Sequence, residues 1–116
     1  MKTIYKIVPS DLWSDAAAAG IFAGSPADLA DGFIHFSTRD QVRATAAKHF
    51  AGQTGLLLIA IAVDRLQAPL KWEPSRGGDL FPHLYGALSV EAAIRIDPLP
   101  LGADGQHVWP DLGDDT

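Results

Sequence analysis

Two short stretches hold residues able to do chemistry together. In Phe33-Ile34-His35-Phe36-Ser37, an extended backbone turns successive side chains to opposite faces, so Phe33, His35 and Ser37 share one face and Ile34 and Phe36 the other. His35 and Ser37 then project together just ahead of a helix start, where free backbone N–H groups favour an anion. Thr38 serves as the helix cap, which leaves the Ser37 hydroxyl for a ribose or a phosphate; the alternative is that His35 and Ser37 bond only each other or the backbone. The second stretch joins Glu73 to Phe81-Pro82-His83-Leu84-Tyr85-Gly86. If extended, it places His83 and Tyr85 on one face. A tyrosine ring offers a flat surface and a donor hydroxyl, and an imidazole moves protons near neutrality. Its alternative is an aromatic packing loop with one satisfied histidine, and Glu73 beside Lys71 and Arg76 as a surface ion pair.

Other chemistries are excluded. The chain has no cysteine, so disulfides, zinc–cysteine sites and a thiol nucleophile are absent. No glycine-rich dinucleotide or P-loop signature follows a strand, and there is no serine-hydrolase elbow. The histidines stand at 35, 49, 83 and 107 with no i, i+4 pair, so no metal site is expected. His35-Phe36-Ser37 is the sole His-x-Ser unit, and His83-Leu84-Tyr85 does not supply the second that a two-histidine phosphoesterase needs. Only Glu73 and Glu91 are glutamates among 14 acidic residues.

These residues need elements to hold them. Ile4 to Val8 reads as a strand, stopped by Pro9-Ser10, which opens a helix with Leu12, Trp13, Ala16 and Ala17 on one face and Gly20 at its exit. Ser25-Pro26 starts a short capped turn through Asp31. Thr38 and Gln41 fit a capping box for a helix with Val42, Ala46 and Phe50 inward, ended by Gly52. Gly55 to Val63 is continuously apolar, hence a central strand covered on both faces. Leu70 to Glu73 and the alternating Ala93 to Asp97 are further strands, and Ser89 to Ala92 makes one helical turn. The order is not a repeating βα alternation, so the expected class is α+β.

The net charge is −5 over 116 residues. Asp104, Asp111, Asp114 and Asp115 follow Arg95, the last basic residue, and leave nine basic residues against ten acids elsewhere. The expectation is a single α+β domain over 1–100 and an acidic, Gly/Pro-containing, solvated C-terminal tail over 101–116. No basic stripe suits nucleic acid, no apolar run reaches the ~20 residues of a membrane helix, and no signal-peptide stretch opens the chain; the expected compartment is the cytoplasm. The oligomeric state is open.

Ile4-Tyr5-Lys6-Ile7, Gly32 to Ser37, Trp72-Glu73 and Leu80 to Gly86 together resemble the bacterial family called domain of unknown function 952, from Ile4 to about Leu99. The resemblance implies an ADP-ribosyltransferase-like fold, a split mixed sheet with short flanking helices. It implies NAD as ligand or substrate: His35 with Ser37 at the adenosine ribose, and Tyr85, or Tyr5, stacked on the nicotinamide. It also implies a catalytic glutamate late in the chain. Glu73 belongs to a family motif but precedes Tyr85; Glu91 comes later without a motif; His83 is the other catalytic candidate. Three readings stay open: a module binding NAD or an ADP-ribose-type nucleotide in a cleft, an enzyme acting on an NAD-derived ribose, and a structural domain with no ligand.

Overall fold

Strand β1 (Thr3–Pro9) is buried along nearly its whole length. Its period of two sends Ile4 and Val8 into one core and Tyr5 and Ile7 into another. The computed structural model that shows this describes residues 2–112. Helix α1 (Ser10–Ala19) follows, buries Trp13 and Ala16, and ends on Gly20 in the left-handed conformation at φ 86°, which glycine adopts without a Cβ clash. Next come strand β2 (Ile21–Phe22), helix α2 (Pro26–Asp31), strand β3 (Ile34–His35) and helix α3 (Arg39–His49). Strands β4 (Leu56–Ala62), β5 (Leu70–Pro74), β6 (Leu80–Leu84), β7 (Leu88–Ser89) and β8 (Ala93–Pro98) complete the order.

The strands form two three-stranded sheets, β1-β4-β8 and β3-β6-β5, and a minimal pair β2-β7. The apolar run Leu56–Ala62 is the central strand expected of it, with β1 on one side and β8 on the other. The two larger sheets touch where Tyr5 N donates to Ser37 O at 2.8 Å and Ser37 N to Tyr5 O at 2.9 Å. The sheet is therefore split, but it is not mixed: every pair among the described strands is antiparallel. A parallel pair needs a crossover that brings the chain back in the same direction, and none of these hydrogen-bonded neighbours is joined that way.

One core lies between the first sheet and α1, with Phe22, Ile34, Phe36, Leu84 and Leu88 closing it. The other lies between the opposite face and α3, where Val42 and Ala46 meet Tyr5, Ile7, Leu58 and Leu99. Side chains such as Ile59 and Leu84 are wholly enclosed, and each contributes roughly 1.5–3 kcal/mol by burial. Two features differ from the sequence reading. Helix α3 ends at His49, with Phe50 as its C-cap at φ −126°, ahead of Gly52, and Phe50 packs against the second core. And residues 101–112, half of them exposed as expected, are also anchored: Leu101 bridges His107, Val108 N donates to Pro100 O at 2.7 Å, and Trp109 and Leu112 pack on the second core. Their apolar side chains outweigh the acidic composition of the stretch; Asp114 and Asp115 lie outside the described residues. Among the described residues no helix is long and apolar enough to cross a membrane.

Candidate functional site

A cleft of about 570 Å³ opens between β1, α2, α3 and the β3–β6 edge. Its wall includes Tyr5, Lys6, Asp28, His35, Ser37 and His83. Each is placed by a local rule of the sequence. Proline at the first position of α2 and Ser25 at its cap start that helix; Ser25 Oγ accepts the Asp28 N–H at 3.3 Å and Asp28 Oδ2 accepts the Ser25 N–H at 2.9 Å, a reciprocal capping box. Gly32 then reverses the chain at φ 84°, and His35 arrives beside the same carboxylate.

Asp28 is the hub. It is buried, and Lys6 Nζ donates to Oδ1 at 3.1 Å and lies 2.9 Å from Oδ2. Oδ1 also accepts the His35 backbone N–H at 3.1 Å and faces His35 Nδ1 at 2.6 Å. Burial by itself would raise the Asp28 carboxyl, but the His35 hydrogen bond, the Lys6 charge and the Ser25 N–H together outweigh it and hold the group well below the usual carboxylate range. For Lys6 burial dominates and pushes the ammonium down, opposed in part by Asp28. The second His35 nitrogen, Nε2, lies 3.0 Å from Asp31, one turn further along α2.

His83 is the cross-strand partner of His35, and their ring centroids are 5.4 Å apart, edge to face. Phe33 stacks on His83 at 4.2 Å and leans on His35 at 4.7 Å. His83 is buried, with Nδ1 2.9 Å from Glu73 Oε1. Tyr85 Oη donates to that same oxygen at 2.7 Å. These two hydrogen bonds, Tyr85 first, lower the Glu73 carboxyl, and the carboxylate in turn raises the Tyr85 phenol. No hydrogen bond to His83 Nε2 is found among the described residues.

The predicted residues therefore divide. His35, Ser37, Tyr5 and His83 face one cleft. Glu73 and Tyr85 stand behind His83, outside the cleft lining, with the Lys71 ammonium 4.6 Å from the Tyr85 ring centre. Glu73 meets the imidazole rather than forming only a surface ion pair; the Arg76 side chain lies outside the described residues. Ser37 Oγ is already within hydrogen-bond distance of Thr45 Oγ1, at 2.8 Å, and Tyr5 is sunk in the second core. Glu91 is exposed, its carbonyl bonded by Arg65. Sequence reasoning missed Lys6, Asp28 and Asp31. A signal existed for the first: lysine inside Ile4-Tyr5-Lys6-Ile7-Val8, a strand apolar on both faces, must find an anion.

Residues 7–96 match the model of a family described as protein of unknown function (DUF952). No curated protein matches. The X-ray crystal structure of protein CC0527 from Caulobacter crescentus is 50% identical, with 92% of this chain and 94% of that one covered and a TM-score of 0.87. The solution NMR structure of CC0527 from the same organism is 51% identical over 91% of each chain, with a TM-score of 0.80. By a family match that spans most of its length, the chain belongs to the DUF952 family of proteins of unknown function.

Proposed function

We propose that the chain is a small-molecule-binding domain whose cleft takes a nucleotide of the ADP-ribose class, NAD included. The observation that carries this is His83. Its ring lines the cleft with Nδ1 turned away to Glu73 and no hydrogen bond at Nε2; because no buried side-chain polar atom among the described residues lacks a partner, that nitrogen is an accessible edge of the ring, open to a ligand. When Nδ1–H donates to the Glu73 carboxylate, the neutral ring offers a lone pair at Nε2, which suits a ribose hydroxyl. Phe36, Val42, Phe50 and Phe81 supply apolar wall for a base, and the volume falls within the range of small-ligand sites. The split sheet and the early-strand position of His35 are in keeping with the ADP-ribosyltransferase resemblance and support the same ligand class.

The test is thermal unfolding with NAD, ADP-ribose and AMP. A ligand at a hundred times its Kd stabilises the folded chain by about 2.7 kcal/mol, a readily measured rise in Tm, and His83→Ala is expected to abolish it. No rise with any of the three ligands overturns the proposal.

A second reading, an enzyme acting on an NAD-derived ribose, is favoured by the Glu73–His83 pair, since a carboxylate-oriented imidazole is a competent general base. Measured NAD consumption that falls in both Glu73→Gln and His83→Asn supports it; consumption that is absent, or unchanged in both variants, removes it.

A further inference from the structure

We infer that His35 Nε2 is an oxyanion subsite of the cleft, and that the Asp31 carboxylate sits where an anionic oxygen of a phosphate or carboxylate ligand would sit. The inference rests on the reading of the cleft as a small-molecule site and deepens it by naming the ligand chemistry at one wall.

Four features of the geometry lead there. The Nδ1 edge of His35 is committed: it lies 2.6 Å from Asp28, whose position is fixed by Lys6 and the Ser25 N–H. That fixes the ring plane and leaves Nε2 as its variable edge. The atom Nε2 meets is a carboxylate oxygen, Asp31 Oδ2, at 3.0 Å, so the ring demonstrably accommodates an oxyanion on that side. Both nitrogens can donate to carboxylates at once only as imidazolium, and the groups facing the ring are Asp28, Asp31, His83 and, through Asp28, Lys6.

Burial then separates the two carboxylates. The Asp28 side chain is 2% exposed and that of Asp31 56%. Asp28 is built in, whereas Asp31 is a surface side chain that leaves its contact by rotating about its own bonds, with no backbone change. An exposed pair of this kind is weak, so a competing oxyanion displaces it at small cost. Asp31 thus weakens every anion at His35 to a modest, removable degree and favours ligands that bring a second contact elsewhere in the cleft.

The experiment is an NMR titration with inorganic phosphate at fixed ionic strength, reading the His35 ring resonances and the Kd, in the wild type, Asp31→Asn, Asp15→Asn and the double variant Asp31→Asn/His35→Gln. Asp15 is exposed on α1, away from the cleft lining, and controls for net charge. Asp31→Asn is expected to tighten phosphate by about three- to fivefold, the inverse of what such a pair is worth, with the shift centred on His35. Asp15→Asn is expected to leave the Kd near wild type, and the double variant to lose the gain. Equal effects of Asp31→Asn and Asp15→Asn, or a gain that survives without His35, overturn the inference. If phosphate tightens as described and neither AMP nor ADP-ribose displaces it, the oxyanion subsite stands and the nucleotide reading fails.

Discussion

Removing the charge of Asp28 is expected to damage the fold far more than a single surface carboxylate would. In Asp28→Asn the shape is kept, but the Lys6 ammonium, 9% exposed, loses the carboxylate that sits 2.9 Å away. Breaking a buried ion pair by neutralising one partner costs about 3–5 kcal/mol, because the other charge stays buried without compensation. A domain of this size has a total stability of about 5–15 kcal/mol, so the loss is a large fraction of it. At about 4–6 °C per kcal/mol, Tm falls by roughly 12–30 °C. Neutralising both ends in Lys6→Met/Asp28→Asn is expected to restore more than half of the loss. The assay is urea denaturation of the wild type, both single variants and the double variant, closed as a thermodynamic cycle. The acid limb provides a second reading of the same pair. The folded-state Asp28 value lies below the ordinary 3.8, so its stabilising share is complete above about pH 4 and is lost as pH falls toward the folded value; that share is missing from the Asp28→Asn curve. A cost below about 1 kcal/mol for Asp28→Asn, or a cycle with no coupling, would refute the reasoning: the pair would then be solvated, as a surface bridge is.

Two further predictions concern β6 and the turn after it. The Tyr85 phenol is held above 10.0 by its hydrogen bond to Glu73, so phenolate absorbance is expected to move toward the ordinary range in Glu73→Gln. The unfolded chain loses this proton first, so the Tyr85 contribution to stability declines as pH rises above 10 in the wild type and less so in the variant. At Gly86 an added Cβ would lie 2.6 Å from Ala68 Cβ; Gly86→Ala is expected to cost about 1–3 kcal/mol by overpacking, and Ala68→Gly in the same chain to recover part of it, as read by denaturation midpoints.

The elements that carry their own signal were legible. The continuous run Leu56–Ala62 announced a strand covered on both faces, and Ser25-Pro26 announced the start of α2. Thr38 and Gln41 marked the start of α3, where Gln41 Oε1 accepts the Thr38 N–H at 3.0 Å. What failed was information that no local window contains. Strands β2 and β7 have two residues each; their pairing depends on a partner 66 positions or more away in the chain, and period-two alternation has no meaning over two residues. The C-terminal stretch looked solvated by composition, but Trp109 and Leu112 find apolar cover that only the assembled core provides. The site shows the same limit. Sequence placed His35, Ser37 and His83 on chemistry-bearing faces, and all three line the cleft. It placed Tyr85 there too, because alternation tells which side chains share a face but not which part of that face opens to a cleft.

Asp28 shows why the remaining part of the site was hidden. As the third residue of α2 it satisfies a helix-capping rule completely, so nothing in its neighbourhood asks for a further role. Yet the oxygen that does not cap Ser25 accepts both His35 donors and Lys6 Nζ. One residue therefore ends an orphan N–H at a helix start, neutralises a lysine that the strand pattern buries, and fixes the ring plane of the cleft histidine. These roles cannot be altered separately: any substitution that frees the Nδ1 edge of His35 also strands Lys6. The freedom to change ligand preference without unfolding the chain lies one turn further along the same helix, at exposed Asp31, which touches His35 and holds up nothing else among the described residues.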